Sequence, residues 1–349
     1  MSRGIGEFGP LQDVIPEWAA VLVALVTQLG DVWFLSLLVG AIYWFDSASR
    51  EDAAVIMGWT FAGLALISTL KHVFALPRPG QPLVRIETLP WVMQPLYEST
   101  AMASGYGFPS GHALMTTIVY LSLARRLSIS TRRRRVVGAA LLIAAVCVSR
   151  VVLGVHYLVD VTAGVAIGVA FLAVVERLLT RVSTDHGTVA FGLAIAISAI
   201  NLVVGGIDAG DISLLGASLG AFGGWQLVVL GQRLFAVDRP SKAARPLLRR
   251  GVLAAGALSP LLIAVDEYHL FSRPARGGAF GLVLALFVTI PVLRHSERAT
   301  RVWTALVFWA TMAIHGLRFL LSPSTWRRAT ILGRRYTVRV HRWIRTRLG

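Results

Sequence analysis

The sequence predicts an all-α bundle of membrane-crossing helices, a polytopic membrane protein, and three observations predict it. Hydrophobic residues make up 55% of the 349-residue chain and charged residues only 15%, with a mean hydropathy of +0.67, a composition of the membrane class. Apolar runs long enough to cross a bilayer, roughly 17–25 residues each, recur along most of the length. Arginines gather between those runs rather than on an amphipathic recognition element, so the net charge of +16 points to lipid headgroups and topology, with no nucleic-acid partner expected. The single cysteine, Cys147, lies in an apolar run, which excludes an intramolecular disulfide and reads as a small core residue.

Met1 to Glu17 is polar and broken by Pro10 and Pro16, without the basic-then-apolar order of a cleavable signal, so the first hydrophobic helix is expected to serve as the insertion signal. From Trp18 to Phe45 the chain is apolar except at Gln28 and Asp31. That stretch is too long for one upright span and too short for two. It predicts a short or re-entrant helix, a break at Gln28 to Asp31, and a span from about Val32, with Asp31 as an N-cap that requires no further role. The next spans are expected at Ala53–Leu70, Pro109–Ala124, Val136–Leu153 and Tyr157–Val175, followed by Thr188–Ile207, Ile212–Gly231, Gly251–Val265, Gly277–Leu293 and Val302–Leu321. These divide the chain into a membrane core over 1–185, accessory helices over 186–322 and a basic tail over 323–349. The stretch Leu76 to Gly107 is long for a connection, and its prolines and the aromatics Trp91, Tyr97 and Tyr106 suggest a lid or substrate-facing cap.

Arginine placement sets the expected orientation. Arg125, Arg126 and Arg132 to Arg135 follow one span, and Arg177 and Arg181 another, which makes those connections cytoplasmic. Parity assigns the same side to the loop containing Arg233, Arg239, Lys242, Arg245, Arg249 and Arg250. It puts the basic tail outside, however. Either one C-terminal segment does not cross, or the tail lies on the membrane surface with Trp343 and Ile344 dipped into headgroups.

Three polar islands interrupt this pattern, all on the predicted outer side: Lys71 to Pro79, Pro109 to His112, and Arg150 to Asp160. In the first, Pro77 and Pro79 fix the backbone around Arg78, whose planar fork suits two phosphoryl oxygens while Lys71 adds a point charge; His72 reads as a bystander. In the second, Ser110 is a natural N-cap and Gly111 permits close backbone approach, so a helix start is available to an anion, with His112 at its rim as a proton donor. In the third, an intramembrane Arg150 is costly and should be paired. His156 and Asp160 are four apart and share a helix face, so the carboxylate can receive the imidazole Nδ1–H and leave Nε2 free as a nucleophile.

These islands resemble the signature of the type 2 phosphatidic acid phosphatase superfamily of membrane lipid phosphatases. The likeness covers about Ile15 to Glu176: Lys, six residues, Arg-Pro is matched by Lys71 and Arg78-Pro79; Pro-Ser-Gly-His by Pro109 to His112; and Arg, five residues, His, three residues, Asp by Arg150, His156 and Asp160. The resemblance implies a six-helix core and a covalent phosphohistidine on His156. It also implies His112 as general acid and then base, and Lys71, Arg78, Ser110, Gly111 and Arg150 as phosphate ligands, without metal or cofactor. No cluster of Asp and Glu near the islands suggests a magnesium or zinc site either. The expected activity is hydrolysis of a lipid phosphate or diphosphate (polyprenyl diphosphate, phosphatidic acid or phosphatidylglycerophosphate) at the outer face of the cell membrane. A protein that only bound or scrambled such lipids would keep the anion pocket but would not need the His156–Asp160 pair, and a vanadate-dependent haloperoxidase would be soluble. Asp208, Asp211, Asp266, Glu267, His269 and His315 share no spacing and are expected to serve solvation or interhelical hydrogen bonding.

Overall fold

The computed structural model describes residues 3–235, apart from 7, 17, 47, 102–104, 183–184 and 207, and residues 272–293. The expected spans at Gly251–Val265 and Val302–Leu321, the loop from Arg239 on that is expected to be cytoplasmic, the basic tail, and Asp266, Glu267, His269 and His315 lie outside the described residues. The chain divides into two units, Met1–Thr289 and Ile290–Gly349, and all three polar islands belong to the first.

The described residues are helical, with no strand among them. In order they form α1 (Phe8–Gln12), α2 (Ala19–Gln28), α3 (Val32–Phe45), α4 (Arg50–Phe74), α5 (Gln94–Ala101), α6 (Gly111–Arg126), α7 (Arg132–Val152), α8 (Leu158–Arg181), α9 (His186–Gly205), α10 (Ala209–Phe235) and α11 (Ser272–Leu293). Five of these, α4 and α7 to α10, are long and apolar enough to cross a membrane, and α2 with α3, bent by 46°, makes either a broken sixth span or a re-entrant loop. The break falls at Leu29 to Asp31, as the sequence predicts, and Asp31 caps α3 by accepting the Trp33 N–H at 3.4 Å.

Two glycine faces explain how the bundle closes. Gly164 and Gly168 of α8 lie against the Ser110 carbonyl, Ala113, Leu114 and Thr117, so a side chain at either would push α8 off α6. On the accessory side, Gly216, Gly220 and Gly224 of α10 meet Gly277, Gly281 and Ala285 of α11, the small-residue contact by which membrane helices approach closely. Between these pairs α4 is the central element, packed along α9 and against α3 and α6, with Thr69 donating to Asn201 at 3.1 Å and Ser68 to Asp211 at 3.2 Å. Asp211 thus makes an interhelical bond, while Asp208 caps α10 by accepting the Asp211 N–H at 2.7 Å, a role the sequence reading did not include.

The two ends of the bundle differ in charge chemistry. At one, Arg126 pairs with Asp52 at 2.8 Å and lies 4.5 Å over the Trp59 ring, and Arg125 pairs with Glu176 at 3.1 Å. Lys71 is near the opposite end of α4 from Asp52, and there the three islands meet. The long Leu76 to Gly107 connection is folded rather than open, since it contains α5 and a one-turn 3-10 helix at Ile86–Thr88. Tyr97 is its anchor: buried, it donates to the Val84 carbonyl at 3.2 Å and accepts the Val84 N–H at 3.0 Å. With Val84, Leu89 and Ala101 it forms one apolar cluster with Ala20 and Ala24 of α2 and with Leu153 and Val155. Burying these side chains, worth about 1.5–3 kcal/mol for each large one, fixes the connection across the end of the bundle.

Candidate active site

Each island is positioned by a different device. Lys71 stands in the last turn of α4, which ends at Ala75 in a left-handed conformation (φ 49°). The chain then runs extended through Pro77 and Pro79, and the Gly107 N–H donates to the Leu76 carbonyl at 2.7 Å, closing the far end of the cap onto Arg78. A side chain at Gly107 would strike the Pro77 carbonyl and the Arg78 backbone. In the second island Ser110 is fully buried and caps α6, its Oγ accepting the Ala113 N–H at 3.5 Å and its own N–H donating to the Asp160 carbonyl at 2.9 Å. Gly111 sits against the Lys71 ammonium, where a Cβ would be 3.9 Å from Nζ. The first-turn amides of Gly111 and His112 have no intrahelical acceptor available to them. The third island turns at Gly154, whose positive φ of 68° and contact with the Gln81 carbonyl leave no room for a side chain.

His156 lies on that turn, 1% exposed. Its Nε2 is 3.1 Å from Arg78 Nη1, which also donates to the Val155 carbonyl at 3.3 Å. A guanidinium has no acceptor to offer, so this contact fixes the tautomer: Nε2 presents its lone pair and the ring proton is on Nδ1. Burial, then the charges of Arg150, Arg78 and Lys71, push the His156 pKa well below its ordinary value, only partly opposed by the Gly107 backbone. The ring is therefore neutral at neutral pH. Arg78 is held below the ordinary arginine range by desolvation, though the Asp160 charge opposes this.

Arg150, 2% exposed, is paired as an intramembrane arginine must be, but with neutral groups: Nη1 donates to Thr27 Oγ1 and to the Thr100 carbonyl, both at 3.2 Å. Among the described residues the Nε atoms of Arg78 and Arg150 are buried without a hydrogen-bond partner. Buried donors of this kind mark a place for an acceptor. Lys71, Arg78, Arg150 and His156 all lie within electrostatic reach of His112, so the eight residues singled out from sequence converge on one end of the bundle.

Three features depart from the sequence reading. Asp160 Oδ2 is 3.6 Å from His156 Nδ1, an ion-pair approach longer than a hydrogen bond, because its oxygens are engaged elsewhere. Oδ2 accepts the Tyr157 N–H at 3.0 Å, and Oδ1 lies 3.2 Å from Arg3 Nε. Arg3 is the second departure. It donates to the Pro77 carbonyl at 2.8 Å and lies over the Phe108 and Tyr157 rings at 5.7 and 5.2 Å, which places a fourth cation beside the islands that no motif announced. Asp31 also does more than cap α3: its second oxygen is 3.8 Å from His112 Nε2. His72 stays apart from the cluster's polar contacts, its Nδ1 bonded to the Ser68 carbonyl at 2.9 Å and its ring edge-on to Tyr106.

Residues 53–183 match the family model of the PAP2 superfamily. The chain is 27% identical over 146 residues to decaprenylphosphoryl-5-phosphoribose phosphatase from two strains of Mycobacterium tuberculosis, an alignment covering 42% of this chain and 71% of that protein. It is 31% identical over 138 residues to lipid phosphate phosphatase delta of Arabidopsis thaliana, covering 36% of this chain and 32% of the plant protein. No solved structure matches.

Proposed function

We propose, from the match of residues 53–183 to the PAP2 superfamily model, that this protein is an integral membrane phosphatase that hydrolyses a lipid phosphate or diphosphate through a phosphohistidine on His156. The observation that carries the proposal is the buried contact between Arg78 Nη1 and His156 Nε2 at 3.1 Å, which pairs a nucleophile's lone pair with a cation able to pass to an incoming phosphoryl group. The guanidinium fork leaves the ring for the phosphate oxygens, and Lys71, Arg150 and the Ser110–Gly111 turn bind the others. Nε2 then attacks phosphorus as the bond to the leaving oxygen breaks, and His112 gives that oxygen its proton. In the second half-reaction His112, now neutral, takes a proton from water; the water oxygen bonds to phosphorus, the P–N bond breaks, and inorganic phosphate leaves with the His156 lone pair restored. Three cations match the charge spread over the transferring group.

A site at the ends of membrane helices lies at headgroup depth, so a chain-bearing substrate keeps its tail in the bilayer while the phosphate enters. The names of the relatives, one acting on a decaprenyl-linked phosphate and one on lipid phosphates, support that class. Polyprenyl-linked phosphates are the first candidates. Arginines at the opposite end of the bundle favour an active site on the outer face of the cell membrane. Phosphate release by purified protein from prenyl diphosphates and from glycerolipid phosphates, with His156→Ala in parallel, tests the reading: release by wild type only is expected, and equal release by both proteins would overturn it.

A further inference from the structure

We infer that Asp31, in the break between α2 and α3, is a positioning residue for the proton-transfer histidine: its carboxylate favours the protonated form of His112 on which the departing oxygen draws. The inference deepens the reading of His112 as proton donor and rests on it.

The geometry divides the two carboxylate oxygens. Oδ1 accepts the Trp33 N–H at 3.4 Å as the cap of α3, which fixes the side chain, and Oδ2 lies 3.8 Å from His112 Nε2, an ion-pair approach longer than a hydrogen bond. Both side chains are only partly exposed, 35% and 23%. The groups that face His112 are otherwise cationic or neutral: Lys71 from α4, Arg78 from the segment after it, Arg150 from α7 and His156 from the turn before α8. The three cations among them oppose an imidazolium, and among the described residues Asp31 is the carboxylate within ion-pair distance of it.

The break itself is seated on the site rather than loosely tethered. A Cβ at Gly30 would be 3.3 Å from His112 Cδ2 and closer still to Thr116 and Val146. The Leu29 carbonyl accepts Tyr120 Oη at 2.6 Å, and Thr27, one turn earlier, holds Arg150. The charge of Asp31 also reaches Arg150. The bend in the first span thus supplies the carboxylate at the depth where His112 works, which a straight helix would carry past.

Asp31→Asn is the discriminating variant, because asparagine caps a helix as well as aspartate and is isosteric with it, so the charge is removed and the fold kept. Histidine titration in detergent by NMR, with the His112 signal assigned from His112→Gln, should show the His112 midpoint lowered by about one pH unit in Asp31→Asn and largely restored in Asp31→Glu. The basic limb of kcat/KM for phosphate release should move down by the same amount, with the thermal midpoint unchanged. A His112 titration that does not move in Asp31→Asn would overturn the inference whatever the enzyme does. A titration that moves while the kcat/KM profile stays fixed would instead remove His112 from the reaction. Absence of phosphate release by wild type would count against the proposed activity alone, since the titration reads the pair without turnover.

Discussion

Arg78→Lys keeps the charge of the phosphate pocket and removes only the fork, so its effect isolates the hydrogen bonds that a guanidinium makes and an ammonium does not. Arg78 uses Nη1 for His156 Nε2 and the Val155 carbonyl, while among the described residues its Nε is buried without a partner. A bound phosphate would take the free edge as well as Nη1, two charge-assisted bonds from one planar group. A lysine makes one of them at that reach. A hydrogen bond to a charged group is worth about 1.5–3 kcal/mol, so phosphate-mimic binding should weaken by about 10- to 150-fold. Vanadate inhibition of phosphate release, with direct vanadate binding to detergent-solubilised protein, measures this. The salt dependence should stay that of wild type, because the charge is retained. Binding of vanadate by Arg78→Lys as tightly as by wild type would refute the assignment of that side chain to the phosphate.

Asp160→Asn should lower kcat by about 100-fold or more, as loss of a triad carboxylate does, because it removes the charge 3.6 Å from Nδ1 that stabilises the ring as phosphorus is taken up, yet leave vanadate affinity within about threefold, since the carboxylate lies on the Nδ1 side of His156 and away from Nε2; equal losses in both would mean that it acts on the pocket as a whole. The acid limb of kcat/KM tests the environment of His156. A ring whose pKa is pushed well below 6.5 stays neutral as pH falls through 6.5, so activity should persist below that pH and fail only near the lowered value. Stability should respond in the same window, because below pH 6.5 the unfolded chain binds a proton that the native ring refuses, and a profile losing activity with a midpoint at or above 6.5 would contradict that environment.

Much of the framework was legible because it is written locally. The spacing of Lys71 and Arg78, the Ser110 cap before an apolar run and the i, i+4 pair of His156 and Asp160 each lie within one helical turn or one connection, and the Gln28 to Asp31 break follows from the length of the run around it. What connects them is not local. Arg3 reaches Asp160 across 157 residues and Thr27 reaches Arg150 across 123, and neither a lone N-terminal arginine nor a threonine in an apolar helix carries a pattern. Asp31 was legible as a cap, since capping needs only the next two residues, whereas its second partner depends on how the bent span packs on α6. The fold of the cap over 76–107 was hidden for a different reason: α5 is only 8 residues long, too short for a periodic signal, and Tyr97 earns its place through two backbone bonds to Val84.

Trapping the covalent intermediate tests the central claim most directly. Radiolabelled lipid phosphate, mixed with purified protein and quenched in base within one turnover, should leave a base-stable, acid-labile label on the peptide containing His156, and none on His156→Ala. Steady phosphate release without label at His156, or label that persists in His156→Ala, would contradict the account.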